Sequence, residues 1–246
     1  MDARRTRPSA PGRHFLSPRS ATEFVQRLQI QSDELVVEVG AGTGRLTKEL
    51  CAWARVVFAS ELDLILARRL LSIERPNLFV HRGDAIAAVD PGASYRVVGN
   101  APFGIGTALL RRFLEDDRVT RVDLILQREA ARKRAGGRGN VLAVYWGVRW
   151  QMTVPWEFHR KAFHPPPRVD AAWLRALPRA RPLLPMARRA DFERFLRRTF
   201  ERGDVPIRGG LRPRDLVAAG VDPHACARDL DVEAWVRLFE RVGSSG

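Results

Sequence analysis

Four short stretches of this chain carry side chains suited to chemistry, and each follows an apolar run that reads as a β-strand. The first is Glu38-x-Gly40-x-Gly42-x-Gly44, after the β-branched run Leu35–Val39, which suits a strand buried on both faces. Glycine permits a tight turn and lets a ligand touch the main chain. Arg45-Leu46-Thr47-Lys48-Glu49-Leu50 then opens a helix, so the stretch forms a nucleotide-binding corner at the edge of a parallel sheet. A dinucleotide fingerprint would need glycine where Arg45 stands, and the P-loop lysine and hydroxyl are missing too. An ordinary glycine turn is the plain alternative. The second stretch is Glu61, directly after Val56–Ser60, where an acid accepts from both ribose hydroxyls; a solvated loop carboxylate would look the same. The third is Gly83-Asp84-Ala85, where Asp84 can accept from an adenine amino group, although Gly-Asp is also a common turn.

The fourth stretch, Asn100-Ala101-Pro102-Phe103, is the most telling. An exocyclic adenine amine is a poor nucleophile because its lone pair is delocalised into the ring. The Asn100 side-chain oxygen and the Ala101 carbonyl, set against its two protons, would draw the nitrogen toward sp3 and free that pair. Pro102 fixes the backbone so that both acceptors point one way. Phe103 offers a face for a flipped base and a π-cloud for the charge that develops on methyl transfer. A cytosine C5 mechanism would need a cysteine here, and Cys51 and Cys226 both lie elsewhere.

These stretches need a scaffold that gathers strand ends. Strands at Leu35–Val39, Arg55–Ser60, Asn77–His81, Tyr95–Gly99 and Arg121–Gln127 alternate with helices at Leu46–Trp53, Leu62–Ile73 and Ile105–Leu114, the pattern of a doubly wound α/β sheet. In such a sheet all the C-terminal strand ends share one edge, where ligands sit. Ahead of it, Ser17-Pro18 predicts an N-cap with proline at the first helical position. Val141–Val148 reads as a helix, and Arg149–Phe158 with Val169–Leu177 as a closing antiparallel pair. Residues 1–13 read as a disordered basic arm, 14–177 as the sheet domain and 178–246 as a small helical domain. Helices are expected there at Asp191–Arg202, Arg214–Ala219 and Val232–Val242.

Charge points to the partner. The chain carries 42 basic and 28 acidic residues, net +14, and all the basic ones but Lys48, Lys133 and Lys161 are arginine. A GC-rich genome explains arginine over lysine but not the excess of positive charge, so a polyanion, nucleic acid, is expected. No apolar run reaches membrane-spanning length, there is no secretory signal, and two lone cysteines argue against a disulfide framework or a metal site. A cytoplasmic location follows. Between Gln127 and Gly139, the basic residues Arg128, Arg132, Lys133, Arg134 and Arg138 face one acid, Glu129, on a glycine-rich loop suited to clamp an RNA backbone. A solvated helix face is the plain alternative.

Taken together, the motifs resemble a known family. Glu38-x-Gly40-x-Gly42-x-Gly44 looks like the S-adenosylmethionine loop of class I methyltransferases. With His14-Phe15-Leu16, Glu61, Gly83-Asp84, Asn100-x-Pro102-Phe103 and Phe163-x-Pro165-Pro166-x-x-Val169, it resembles the rRNA adenine N6-methyltransferases. These comprise the Erm macrolide-resistance enzymes and the KsgA-like dimethylases. The resemblance implies a class I Rossmann-like fold, S-adenosylmethionine as methyl donor and ribosomal RNA as acceptor. It also implies that Phe15 and Leu16, with His14 before them, line the methionine end, and that Phe163 is a second wall against the target base. Without the resemblance, Phe163 reads as a core aromatic before a proline turn. The basic 127–139 segment, the N-terminal arm and the compact tail look more like Erm, which implies 23S rRNA as substrate, no metal and a monomer. The rivals are a KsgA-like 16S rRNA enzyme, a DNA adenine methyltransferase and a non-catalytic RNA-binding relative. One departure is Ala101, where these families usually carry a larger aliphatic.

Overall fold

A computed structural model of the chain describes residues 13–88, 90–201, 207 and 211–243. All of the expected N-terminal arm except Arg13 lies outside the described residues. The chain begins with β1 (Phe15–Leu16) and α1 (Pro18–Leu28). The expected N-cap is present, since Ser17 Oγ accepts from the Ser20 N–H at 3.1 Å. The alternating region follows as β2 (Leu35–Val39), α2 (Arg45–Leu50), β3 (Val56–Glu61), α3 (Leu64–Leu71), β4 (Leu78–Arg82), α4 (Ala85–Ala88), β5 (Tyr95–Asn100), α5 (Gly106–Leu114) and β6 (Val119–Gln127). Next come α6 (Arg128–Arg134), α7 (Val141–Gly147), β7 (Trp150–Phe158), β8 (Phe163–His164) and β9 (Ala171–Pro178). The chain closes with α8 (Arg189–Phe200), α9 (Pro213–Ala218) and α10 (Val232–Gly243).

The main sheet has the order β4-β3-β2-β5-β6-β9-β7. β4, β3, β2, β5 and β6 are parallel, and β9 inserts antiparallel between β6 and β7, as the closing pair predicts. From β2 the chain winds one way through β3 and β4, then returns to β5 on the other side. The gap between the ends of β2 and β5 is therefore the topological switch point, where such sheets bind ligands. β2 is buried at every position, as an all-apolar run flanked on both faces requires. Arg96 of β5 is fully buried as well, compensated by Asp123 at 2.7 Å and Glu34 at 3.1 Å.

One buried cluster joins the sheet and α5 to α7, α8 and α10, through Leu109, Phe113, Trp146, Phe192 and Trp235. A second packs α1 and α2 on the opposite face, with Phe24 edge-on to Trp173. Two features escape a reading by periodicity. β1 and β8 form a separate two-stranded ribbon, with Leu16 opposite Phe163, too short to show an alternating pattern. The expected clamp loop is instead the helix α6 followed by a 3-10 turn, Ala135–Gly137. Alanine, arginine, lysine and glutamate are strong helix formers, so only the glycine part stays non-helical. Gly136, Gly137 and Gly139 there have positive φ, and a Cβ on Gly137 would lie 2.4 Å from Val232 of α10.

Candidate active site

The switch point opens into a cleft of about 160 Å³ at the C-terminal ends of β2, β3 and β5. The expected residues His14, Phe15, Gly40, Gly42, Glu61, Asp84, Ala85, Asn100, Ala101, Pro102 and Phe103 all line it. The glycine turn and the Asn100 loop meet directly: a Cβ on Gly40 would lie 3.7 Å from Pro102 Cδ and 3.8 Å from the Asn100 carbonyl. At Gly42 (φ +58°) a Cβ would lie 2.6 Å from the Phe15 ring, so the β1 segment seats on the loop only because the position is glycine.

Each polar group is held by the backbone around it. Glu61, 7% exposed, accepts from the Gly42 N–H through Oε2 and from the Asp63 N–H through Oε1, both at 2.8 Å. A carboxylate oxygen has two acceptor sites, so each retains one for a ligand hydroxyl. Asp84 Oδ1 accepts from the Ile86 N–H at 2.9 Å. Asn100 Nδ2 donates to the His14 carbonyl at 2.6 Å, which leaves Oδ1 as the acceptor that this side chain offers. His14 in turn sits with Nδ1 2.9 Å from the Pro165 carbonyl and its ring centroid 5.7 Å from that of Phe103. Phe103 and His14 together form an aromatic side to the cleft beside Asn100.

Four expected residues are not on the cleft wall. Glu38 lies under the turn, 1% exposed; burial pushes its pKa up to about 7, hydrogen bonding from the adjacent Thr47 side chain and N–H counters this, and the Glu61 charge adds to it. Gly44 (φ +79°) faces the end of α3 instead, where a Cβ would lie 3.0 Å from Leu70 and 2.6 Å from Ile73 just beyond the helix. Leu16 lines a separate small space beside Arg45. Phe163, 3% exposed, packs in the core with its ring 5.9 Å from Phe158, because its β8 strand is pinned against β1. Other cleft residues had no sequence signal as site residues. Arg13, placed in the arm, lines the cleft and pairs with Asp63 at 3.0 Å, and Leu62 and Ile105 complete the rim.

The basic segment is only partly available. Arg132 pairs with Glu157 at 2.6 Å and Arg128 with Asp170 at 3.1 Å. Arg134 reaches Thr107 Oγ1 at 3.3 Å and Asn140 Oδ1 at 3.5 Å, and burial lowers its pKa. Lys133, Arg134 and Arg138 form no ion pair with a carboxylate among the described residues.

The family model for ribosomal RNA adenine dimethylase matches residues 7–243. The chain belongs to the ribosomal RNA adenine dimethylase family. It is 33% identical over 249 residues to an rRNA adenine N-6-methyltransferase of Saccharopolyspora erythraea, covering 94% of this chain and 64% of that protein. A ribosomal RNA small subunit methyltransferase A of Chromobacterium violaceum is 31% identical, with 96% of this chain and 95% of that one covered. Among solved structures, the 23S rRNA methyltransferase ErmE superposes with a TM-score of 0.82 at 31% identity, over 93% of this chain and 99% of that one. The sheet is thus the Rossmann-like methyltransferase sheet of this family, and S-adenosylmethionine is the family's cofactor. The residues present fit it. Glu61 suits the ribose, Asp84 and Ala85 the adenine, and the Gly40–Gly42 backbone the sulfur-bearing chain between them and Asn100.

Proposed function

We propose that this dimethylase-family chain transfers methyl groups from S-adenosylmethionine to the N6 of an adenosine in 23S rRNA, naked or in early assembly, and so confers resistance to macrolides, lincosamides and streptogramin B. The observation that carries the reading is the direct approach of the Gly40 turn to the Asn100–Pro102 loop, which sets a cofactor turn beside two hydrogen-bond acceptors in one cleft. When bound, the cofactor supplies an electrophilic methyl group. Asn100 Oδ1 and the Ala101 carbonyl accept from the target amine and localise its lone pair. Phe103, with His14 beside it, stacks on the extruded base. The ErmE likeness over nearly all of that chain supports the large-subunit substrate.

Lys133, Arg134 and Arg138 are the main backbone contacts in this reading, with Arg128 and Arg132 joining if their carboxylate partners yield to phosphate. The helical part, residues 178–246, adds RNA surface. The chain works as a cytoplasmic monomer without a metal. A KsgA-like 16S rRNA activity is the second reading, supported by the 31% identity to the Chromobacterium protein over nearly its whole length. Incubation with tritiated S-adenosylmethionine and naked 23S or 16S rRNA, followed by nucleoside analysis, tests both. Labelled N6-methyladenosine from 23S alone is expected. Label from 16S alone would transfer the assignment to the second reading, and label in neither would reject the activity.

A further inference from the structure

Arg45, which excludes a dinucleotide fingerprint, lies next to the cleft. It opens α2 directly after the glycine turn, and its Nη1 donates to the Leu16 carbonyl at 2.5 Å. With Phe15, Gly40, Thr43 and Asn100, it lines a small space of about 20 Å³. Phe15, Gly40 and Asn100 also line the main cleft, so the two spaces share a wall. A water needs about 10–15 Å³ of such space, so the smaller space takes one compact polar group. Arg45 forms no ion pair among the described residues, and only one of its five N–H groups is spent on Leu16. Arg13, which lines the main cleft, is already paired with Asp63.

Strand order says which part of the cofactor arrives there. Asp84 follows β4, Glu61 ends β3, the glycine turn follows β2 and Asn100 ends β5, and these four strands are neighbours in that order. A cofactor with its adenine at Asp84 and its ribose at Glu61 carries its amino-acid end over β2 and β5, beside Arg45. Both oxygens of Glu61 already accept from N–H groups, and Glu38 is sealed under the turn, so neither carboxylate neutralises the guanidinium. Resting on the methyltransferase reading, we propose that Arg45 is the cation that binds the α-carboxylate of S-adenosylmethionine.

Calorimetric titration of the full chain, without RNA, tests this with two ligands that differ only in that group: S-adenosylmethionine and decarboxylated S-adenosylmethionine. Arg45→Gln is expected to weaken the first by about tenfold or more, as for removal of a charge-assisted hydrogen bond. The decarboxylated compound should change by less than about twofold, and Arg45→Lys should fall between. Equal weakening of both ligands would make Arg45 only a strap on the Leu16 carbonyl and overturn the assignment. Unchanged binding of S-adenosylmethionine would also overturn it, while leaving the methyltransferase reading intact. A wild-type chain that binds neither ligand would remove both.

Discussion

The Asn100 side-chain amide donates to the main-chain carbonyl of His14 at 2.6 Å, across 86 positions of sequence. That bond decides which end of the amide is used for chemistry: the nitrogen is tied to His14, just ahead of β1, and the oxygen is the acceptor left for a ligand. The same short segment seats Phe15 on Gly42 and receives Arg45 at Leu16. The N-terminal strand therefore couples the cofactor turn to the methyl-accepting loop.

Asn100→Ala should abolish transfer while leaving cofactor affinity within about threefold, since the missing acceptor acts on the target amine. A loss on the order of 100-fold or more in single-turnover rate is the expected scale for a preorganised electrostatic interaction. Turnover above a tenth of wild type would refute the role given to Asn100.

Gly42→Ala should cripple cofactor binding without unfolding the chain. The new methyl group would lie 2.6 Å from the Phe15 ring at a φ of +58°, so the β1 segment must lift off the turn. Calorimetry with S-adenosylhomocysteine should give an affinity at least about tenfold weaker, while circular dichroism keeps its native form. Unchanged affinity would mean that seating Phe15 on the turn is dispensable.

Glu38 gives the chain a pH dependence of known sign. Folding raises its pKa from 4.5 to about 7, so the folded chain holds this proton more tightly than the unfolded one. The stability it contributes is complete below about pH 4.5 and is lost as pH rises toward 7, by about 3 kcal/mol for the isolated group. Glu38→Gln cannot ionise, so its advantage over wild type should grow from pH 5 to pH 8 in urea unfolding. A difference independent of pH would show that Glu38 is charged throughout.

The triple variant Lys133→Ala, Arg134→Ala, Arg138→Ala should weaken rRNA binding and flatten its dependence on salt. Removing one cation from a phosphate lowers the slope of log affinity against log salt by roughly 0.7–0.9, so the full set is worth about 2. Arg132→Ala alone should do little, because Glu157 already occupies that guanidinium at 2.6 Å. An unaltered slope in the triple variant would place RNA on another face.

The strand tips were legible from residue order alone. A buried β-run ending in glycines, in Glu61 or in Asn100-Ala101-Pro102-Phe103 is a local pattern, and parallel pairing then brings every such tip to one edge. The start of α1 was legible for the same reason, since Pro18 acts through its own backbone, whereas α6 was expected as a loop and its helix formers prevail up to the glycines. What residue order could not decide was which way a side chain faces once the edge is assembled. Gly44 and Gly42 look equivalent in the motif, yet one makes room for Ile73 and the other for Phe15. Glu38 lies inside, Phe163 is drawn into the core by β8, Arg13 lines the cleft and Arg45 the small space beside it. Those outcomes depend on how segments far apart in the chain meet. Packing density settles them, and no local periodicity records it.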